Sequence, residues 1–136
     1  MKKYKIANWV CYIGDDQSFD DNKVGKWMYF FSDKKLVDKF CKDAIKNKIV
    51  VHSKYSDADE GVACFYLHYD DIETHKKLLH FFIDNNLIRK TKAGRLYNIS
   101  FKLDNQTRAG EYNKEFHSEI KLSKFVDLDS GKWIYD

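Results

Sequence analysis

Alternating apolar and polar residues, interrupted by two stretches of helical periodicity, predict a small mixed fold. Residues 4–13 form a strand or an aromatic-rich lead-in, and GKWMYFFS (25–32) is an apolar run typical of a buried strand. IVVHSKYS (49–56) and GVACFYLHY (61–69) predict two further strands joined as a hairpin by ADEG. RLYNISFKLD (95–104) alternates as the last strand of the series.

Two helices are predicted between these strands. The first begins at Ser32 or Asp33, either of which can cap it, and carries an apolar stripe made of Leu36, Val37, Phe40, Cys41, Ala44 and Ile45. Asp70 and Glu73 have the spacing of a capping box for the second helix. That helix ends near Asn85 and Asn86, and its apolar side carries Ile72, His75, Leu79, Phe82 and Ile83.

The resulting order is β-α-β-β-α-β, with an N-terminal addition and a C-terminal extension from residue 105. This order predicts the α+β class: an antiparallel sheet with both helices on one face. At 136 residues and 43% hydrophobic composition, the chain is long enough for one core. We therefore expect a single domain over residues 1–136, with its core at about 25–104.

Composition narrows the function only slightly. A net charge of +3, from 24 basic and 21 acidic residues, does not indicate nucleic-acid binding. The three cysteines lack zinc-site spacing and lie in apolar contexts, which predicts buried, reduced thiols and no metal site. Because no run is apolar enough for a signal peptide or membrane span, we expect a soluble, cytoplasmic protein with no membrane partner. No cofactor-binding motif occurs in the sequence.

The sheet face turned away from the helices is the predicted site. In the strand 49–56, His52 and Lys54 alternate against more apolar positions, and in the strand 61–69 Tyr66 and His68 alternate against Ala63, Phe65 and Leu67, which are core-like. Cations and imidazoles among tyrosines suit a phosphate attached to a group that can stack. The alternative is a solvated face on which the two histidines are simply cross-strand neighbours.

The loop after the last strand, DNQTRAGEY (104–112), is the second part of the predicted site. Thr107 and the backbone from Arg108 to Gly110 can hold a phosphate, because glycine permits close approach of the main chain. Arg108 supplies charge from this loop. The alternative is that Thr107 and Gly110 only shape a turn, with Arg108 paired to Glu111 or Asp104.

A stacking group completes the predicted site. Tyr66, Tyr112 and Trp27 are the candidates to contact an aromatic base.

Several segments together resemble a family of uncharacterised proteins called basophilic-leukaemia-expressed-protein-like. GKWMYFFS, the tetrapeptide SKYS (53–56), VACFYLHYDD and FKLDNQTRAGEY follow in the order of the family pattern. The last piece matches K-x-D-x-x-T-x-x-G-x-Y through Lys102, Asp104, Thr107, Gly110 and Tyr112. The resemblance covers roughly residues 25–112, and some small bacterial relatives are labelled as phosphothreonine lyase domains.

This resemblance implies a fold similar to that of the cap-binding translation initiation factor, a curved antiparallel sheet backed by helices with a nucleotide on its concave face. The cap binder's own motifs are absent, so cap binding is not implied. The lyase label implies β-elimination of phosphate, with Lys54 as base, His52 or His68 as acid, and Arg108 with Arg95 as the phosphate clamp.

Three functions remain open from the sequence. The favoured one is a non-enzymatic module that binds a nucleotide or another phosphorylated ligand, including a phosphoprotein, on the concave face. The second is a lyase that eliminates phosphate with the same residues. The third is a protein–protein inhibitor from a phage or mobile element that blocks a host defence system through exposed aromatic residues.

Overall fold

A computed structural model describes residues 1–15, 19–104 and 120–134. Its strands and helices are β1 (Lys2–Ile6), β2 (Trp9–Ile13), β3 (Val24–Phe31), α1 (Lys34–Lys46), β4 (His52–Ser56), β5 (Gly61–His68), α2 (Ile72–Asp84) and β6 (Lys102–Leu103). A short 3-10 helix, Leu122–Lys124, lies in the C-terminal extension. Within these described ranges, no helix has the length and apolar character needed to cross a bilayer.

The strands form one six-stranded antiparallel sheet in the order β1-β2-β4-β5-β3-β6, which is not closed into a barrel. The α+β prediction is confirmed, since β3-α1-β4-β5-α2-β6 reproduces the expected order. The N-terminal addition is a β1–β2 hairpin. It extends the sheet because β2 pairs with β4.

Both helices bury their apolar sides against the same face of the sheet. Asp33 is one of the two residues predicted to cap α1, and it does so: its side chain accepts a hydrogen bond from the backbone N–H of Leu36. The cap of α2 is Asp71, which accepts the N–H of Thr74, and the prediction of Asp70 in this role was wrong. The carboxylate of Asp70 instead pairs with the ammonium of Lys23 at 3.1 Å.

The last predicted strand, residues 95–104, is mostly not a strand. Only Lys102 and Leu103 pair with the sheet, through β3. The preceding residues bond to the C-terminal extension instead: the N–H of Phe101 donates to the carbonyl of Ile120, and the carbonyl of Ile99 accepts from Leu122. Backbone groups satisfied in this way no longer need a partner in the sheet, so alternation alone placed this segment incorrectly.

The described part of the extension packs on the helix side of the molecule. Phe125 is fully buried, and its ring stacks on His75 of α2 with 5.8 Å between centroids. Trp133 stacks on His80 of the same helix at 3.9 Å.

The opposite side of the sheet is called the open face here. The alternate residues on it are Trp9, Cys11 and Ile13 of β2, His52, Lys54 and Ser56 of β4, Val62, Cys64, Tyr66 and His68 of β5, and Val24, Lys26, Met28 and Phe30 of β3.

Candidate functional site on the open face

The strand register brings charge and aromatic rings together at the middle of the open face. Lys54 of β4 lies between Cys11 of β2 and Cys64 of β5. Tyr66 is the next residue of β5 on the same face, and it lies opposite Lys26 of β3. Lys54 and Lys26, which come from the strands on either side of β5, therefore flank the part of β5 that carries Cys64 and Tyr66.

The ammonium group of Lys54 is held by aromatic rings rather than by a carboxylate. Its Nζ lies 4.0 Å from the ring centroid of Trp9 and 5.7 Å from that of Tyr66. Both distances are within the range of a cation–π interaction. Among the described residues no carboxylate lies within 4.0 Å of this ammonium. The charge is thus positioned without being neutralised by an ion pair there.

His52 is the neighbour of Lys54 on β4 and is partly covered. Its ring stacks on Tyr66 with 4.8 Å between centroids, and its Nε2 is buried with no hydrogen-bond partner among the described residues. Burial, followed by the positive charge of Lys54, lowers the pKa of His52 below its ordinary value. We therefore expect a neutral imidazole near pH 7, with a polar nitrogen that a ligand could satisfy.

His68, at the end of β5, anchors the loop before β3. Its Nε2 accepts the backbone N–H of Asp20 at 3.0 Å, and the ring of Phe19 meets its ring at 5.4 Å. Phe19 also stacks over His52 at 6.4 Å. His68 therefore lies on the open face as predicted, but one ring nitrogen is already engaged with the main chain.

A partly buried ion pair closes the β6 side of the site. The Nζ of Lys26 lies 2.7 Å from Oδ1 of Asp104, and their side chains are 12% and 26% exposed.

Burial raises the pKa of the Cys64 thiol, while Lys26 and Lys54 act in the opposite direction. Burial also raises the pKa of the Tyr66 hydroxyl well above its ordinary value, so Tyr66 remains a neutral phenol.

A cavity of about 520 Å³ borders the site at the end of β5. Phe19, Tyr66 and His68 line one part of it, and Asp71 and Thr74, at the start of α2, line another. This volume is within the range of small-molecule pockets.

Four of the predicted site residues lie together on the open face: His52, Lys54, Tyr66 and His68. Thr107, Arg108, Gly110 and Tyr112 lie outside the described residues, so the second part of the predicted site stays a sequence prediction.

Two other predicted residues are not part of this cluster. Trp27 faces the helices, is fully buried, and donates its Nε1–H to His75. It therefore has no exposed surface on which a base could stack. Arg95 pairs through Nε with Asp129 of the C-terminal extension. It lies in the segment that was wrongly predicted to be a strand, which is why it does not join the alternation of the open face.

Sequence reasoning did not select Trp9, Lys26, Asp104 or Phe19 for the site. Lys26 could have been found, because it alternates with Trp27 along β3 and a lysine is rarely buried against helices. Trp9 required knowledge that β2 lies beside β4, which no local pattern encodes. Phe19 lies in a polar loop without periodicity.

Metal-ligating side chains and thiols are the remaining groups of the described ranges that could carry chemistry. No group of three His, Cys, Asp or Glu side chains that could hold a metal ion occurs among these residues. All three cysteines are buried as predicted, and burial raises the pKa of Cys41 far above its ordinary value.

Comparisons of the chain with protein-family models, curated proteins and solved structures found no match. The family resemblance therefore stays a prediction.

Proposed function

We propose that the open face binds a nucleotide or another phosphorylated ligand that carries an aromatic group. The observation that carries this proposal is the Lys54 ammonium, which lies over the ring of Trp9 without an ion-pair partner among the described residues. Such a cation is available to a phosphate, and the partly exposed indole ring of Trp9 is available to a base, whereas Tyr66 is buried beneath His52.

Binding would exchange one contact of Lys54 for another. In the free protein the ammonium covers Trp9 at 4.0 Å. A phosphate would draw it away, at the cost of a cation–π contact of about 0.5–2 kcal/mol, and would leave the indole face to the ligand's aromatic group. The flexible four-carbon stem of lysine permits this movement without a change in the sheet.

The Nε2 of His52, which has no hydrogen-bond partner in the described part of the chain, offers the ligand a polar anchor. A buried nitrogen without a hydrogen bond costs free energy that a ligand group of suitable geometry can recover. Because the lowered pKa favours the neutral ring, His52 would contribute a hydrogen bond rather than a second positive charge.

A thermal-shift and NMR titration with ATP, GTP, cyclic dinucleotides and inorganic phosphate would test the proposal. Binding should raise the melting temperature through linkage and shift the amide signals of β4 and β5. Lys54→Gln should abolish both effects. Lys42→Gln, on the exposed side of α1, removes the same charge elsewhere and should leave them unchanged. Equal responses of the two variants would reject the site.

A separate variant addresses the predicted loop. If Arg108 also contacts the phosphate, Arg108→Ala in the otherwise unchanged chain should weaken ligand binding, measured by the same titration. Unchanged affinity would remove the loop from the site and leave the open face standing.

The phosphate-eliminating alternative needs a base and an acid near one substrate. His52 and Lys54 do lie two residues apart on one strand face, but the predicted clamp residue Arg95 is paired to Asp129. Incubation with a phosphothreonine peptide, followed by mass spectrometry, separates the two functions. Loss of phosphoric acid from the peptide would support the lyase, and intact bound peptide would support the binding module.

Two finer predictions complete the proposal. Three buried free thiols fit a reducing compartment, and we propose the cytoplasm as the location.

The inhibitor alternative requires a protein partner bound without any small ligand, and a pull-down in nucleotide-free buffer addresses it.

A further inference from the structure

The outer edge of β3 is only partly paired. Along its whole length, from Val24 to Phe31, β3 pairs with β5 on one side. On its other side it pairs with β6 only at Gly25 and Lys26. Within the described ranges, the backbone of residues 27–31 has no hydrogen-bond partner on that second side. Five residues of this strand edge are therefore unpaired by any other described part of the chain.

A hollow of about 400 Å³ lies beside this open edge. It separates β3 from residues 97–99, whose backbone pairs elsewhere: the N–H of Tyr97 donates to the carbonyl of Arg89, and the carbonyl of Ile99 accepts from Leu122 of the C-terminal extension. The residues lining it are Met28, Tyr29, Phe30, Leu87, Arg89, Tyr97, Asn98 and Ile99. The hollow thus occupies the place that the first part of the predicted strand 95–104 would have taken.

Residues 27–31 carry none of the residue types that normally protect strand edges. Natural edges carry charged residues, proline or bulges that discourage pairing with other chains. Residues 27–31 read WMYFF, with neither charge nor proline. Phe30 is 59% exposed, and Tyr97 across the hollow is 48% exposed. Such a surface is expected where a partner supplies the missing strand.

The charge at the hollow indicates the chemistry of that partner. Arg89 is exposed, and no carboxylate among the described residues forms an ion pair with it. A second copy of β3 could not provide one, because VGKWMYFF contains no Asp or Glu. Unpaired backbone groups select an extended polypeptide, and an unpaired guanidinium selects an acidic side chain.

We propose that the open edge of β3 binds an extended segment of a partner protein by strand addition. The segment pairs its backbone with residues 27–31, places apolar side chains against Phe30 and Tyr97, and directs a carboxylate to Arg89. This site is distinct from the ligand site on the open face and does not depend on it.

The first test is an NMR titration of the ¹⁵N-labelled full chain with the peptide Ac-Glu-Val-Tyr-Val-Glu-NH₂. Amide signals of residues 27–31 and 97–99 should shift. The same peptide with the amide of every residue N-methylated has no strand N–H left to donate on either edge and should cause no shift there. Absence of shifts at millimolar peptide, or equal shifts with the methylated peptide, would overturn the proposal.

Charge reversal tests the role of Arg89. Arg89→Glu should weaken binding of the acidic peptide by roughly threefold to tenfold and improve binding of Ac-Lys-Val-Tyr-Val-Lys-NH₂. Lys92→Glu makes the same charge change in a nearby exposed turn and should alter neither affinity. If both variants behave alike, the guanidinium does not select the partner.

The free protein provides an independent check. Outward-facing amides in residues 27–31 should exchange with deuterium faster than the inward ones that bond to β5. Uniform protection of all five amides would mean that the edge is already covered. A doubled mass in light scattering, together with that protection, would assign the edge to a second copy and overturn the proposal.

Discussion

The indole Nε1–H of Trp27 donates a hydrogen bond to Nδ1 of His75 over 2.9 Å, and both side chains are fully buried. Because an indole nitrogen can only donate, Nδ1 must be the acceptor and carries no proton. The proton of the neutral ring therefore sits on Nε2, which lies 2.9 Å from the carbonyl oxygen of Tyr69. This arrangement joins β3, α2 and the turn before α2 through one neutral imidazole.

Acidification should destabilise the protein through His75. Burial lowers the pKa of His75 in the folded state below the value of about 6.5 expected for the unfolded chain. As the pH falls, the unfolded chain therefore binds the proton first. The contribution of neutral His75 to the free energy of unfolding is thus complete above about pH 6.5. It is lost as the pH falls towards the folded-state value, at up to about 1.4 kcal/mol per pH unit.

The variant His75→Gln separates this effect from those of other titrating groups. Glutamine can accept from Trp27 but does not titrate, so the free energy of unfolding should depend less steeply on pH between 6.5 and 5. Urea unfolding at several pH values in both proteins measures the difference. Superimposable pH profiles would show that His75 is not responsible, whatever the absolute stability of the variant.

Asp38 should be important for the packing of α1 on the sheet. The hydroxyl groups of Tyr12 and Tyr55 both donate to its Oδ1 over 2.7 Å. Each Tyr→Phe variant should lose about 1 kcal/mol, whereas Asp38→Ala should lose about 2 kcal/mol or more because it leaves two phenols without an acceptor. Denaturant unfolding of the three variants tests this order, and it fails if Asp38→Ala costs no more than either tyrosine variant.

The pH dependence of the Asp38 contact should have the form typical of a carboxylate. Burial raises the pKa of Asp38, but the two phenol hydrogen bonds and the charge of Lys3 outweigh it and lower the pKa overall. The stabilisation is then present above about pH 3.9 and is lost as the pH falls through the lowered folded-state pKa. Asp38→Asn keeps an acceptor and should lack this acid transition.

Local patterns were sufficient for the elements that bury one side. The alternation in residues 61–68 correctly assigned Tyr66 and His68 to the open face, because Ala63, Phe65 and Leu67 form an unmistakable core stripe. The same holds for α1, in which the predicted stripe is buried except at its first residue. These cases succeed because burial of apolar side chains decides the orientation.

The sequence failed where a long-range partner replaced a local one. Residues 95–101 alternate like a strand, but residues 120–122 compete for their backbone groups, and no local signal shows that competition. Trp27 was assigned to the site because the alternate residues of its strand had not been assigned to the two faces of the sheet. Trp9 was missed because its neighbour across the sheet is β4, 43 or more residues away along the chain.

Lys54 should stabilise the free protein as well as bind a ligand. Lys54→Gln removes the cation over Trp9 and should lower the free energy of unfolding by about 0.5–1 kcal/mol. Lys54→Arg keeps a cation and should restore most of the loss. Thermal unfolding of the two variants measures the loss of stability in each. Equal losses in Lys54→Gln and Lys54→Arg would mean that the cation over the ring contributes nothing beyond side-chain packing.

Gly25 should be intolerant of a side chain because of its closeness to β6. A Cβ at this position would lie 2.5 Å from the carbonyl oxygen of Lys102 and 2.5 Å from the ring of Phe101. Gly25→Ala should therefore cost about 1–3 kcal/mol and push β6 away from β3. Gly94→Ala is the matched control: nothing lies within 4 Å of its Cβ position, although its φ of +86° disfavours a side chain.

Hydrogen exchange distinguishes these two causes of destabilisation. Gly25→Ala should accelerate exchange at the amides of β6, since the steric conflict acts on the β3–β6 pairing itself. Gly94→Ala should leave those amides protected, because its strain is confined to a turn. Displacement of β6 would also separate Asp104 from Lys26, so Gly25→Ala should alter ligand binding on the open face where Gly94→Ala does not. Protection of β6 that is identical in both variants would show that the close approach at Gly25 does not hold this edge of the sheet.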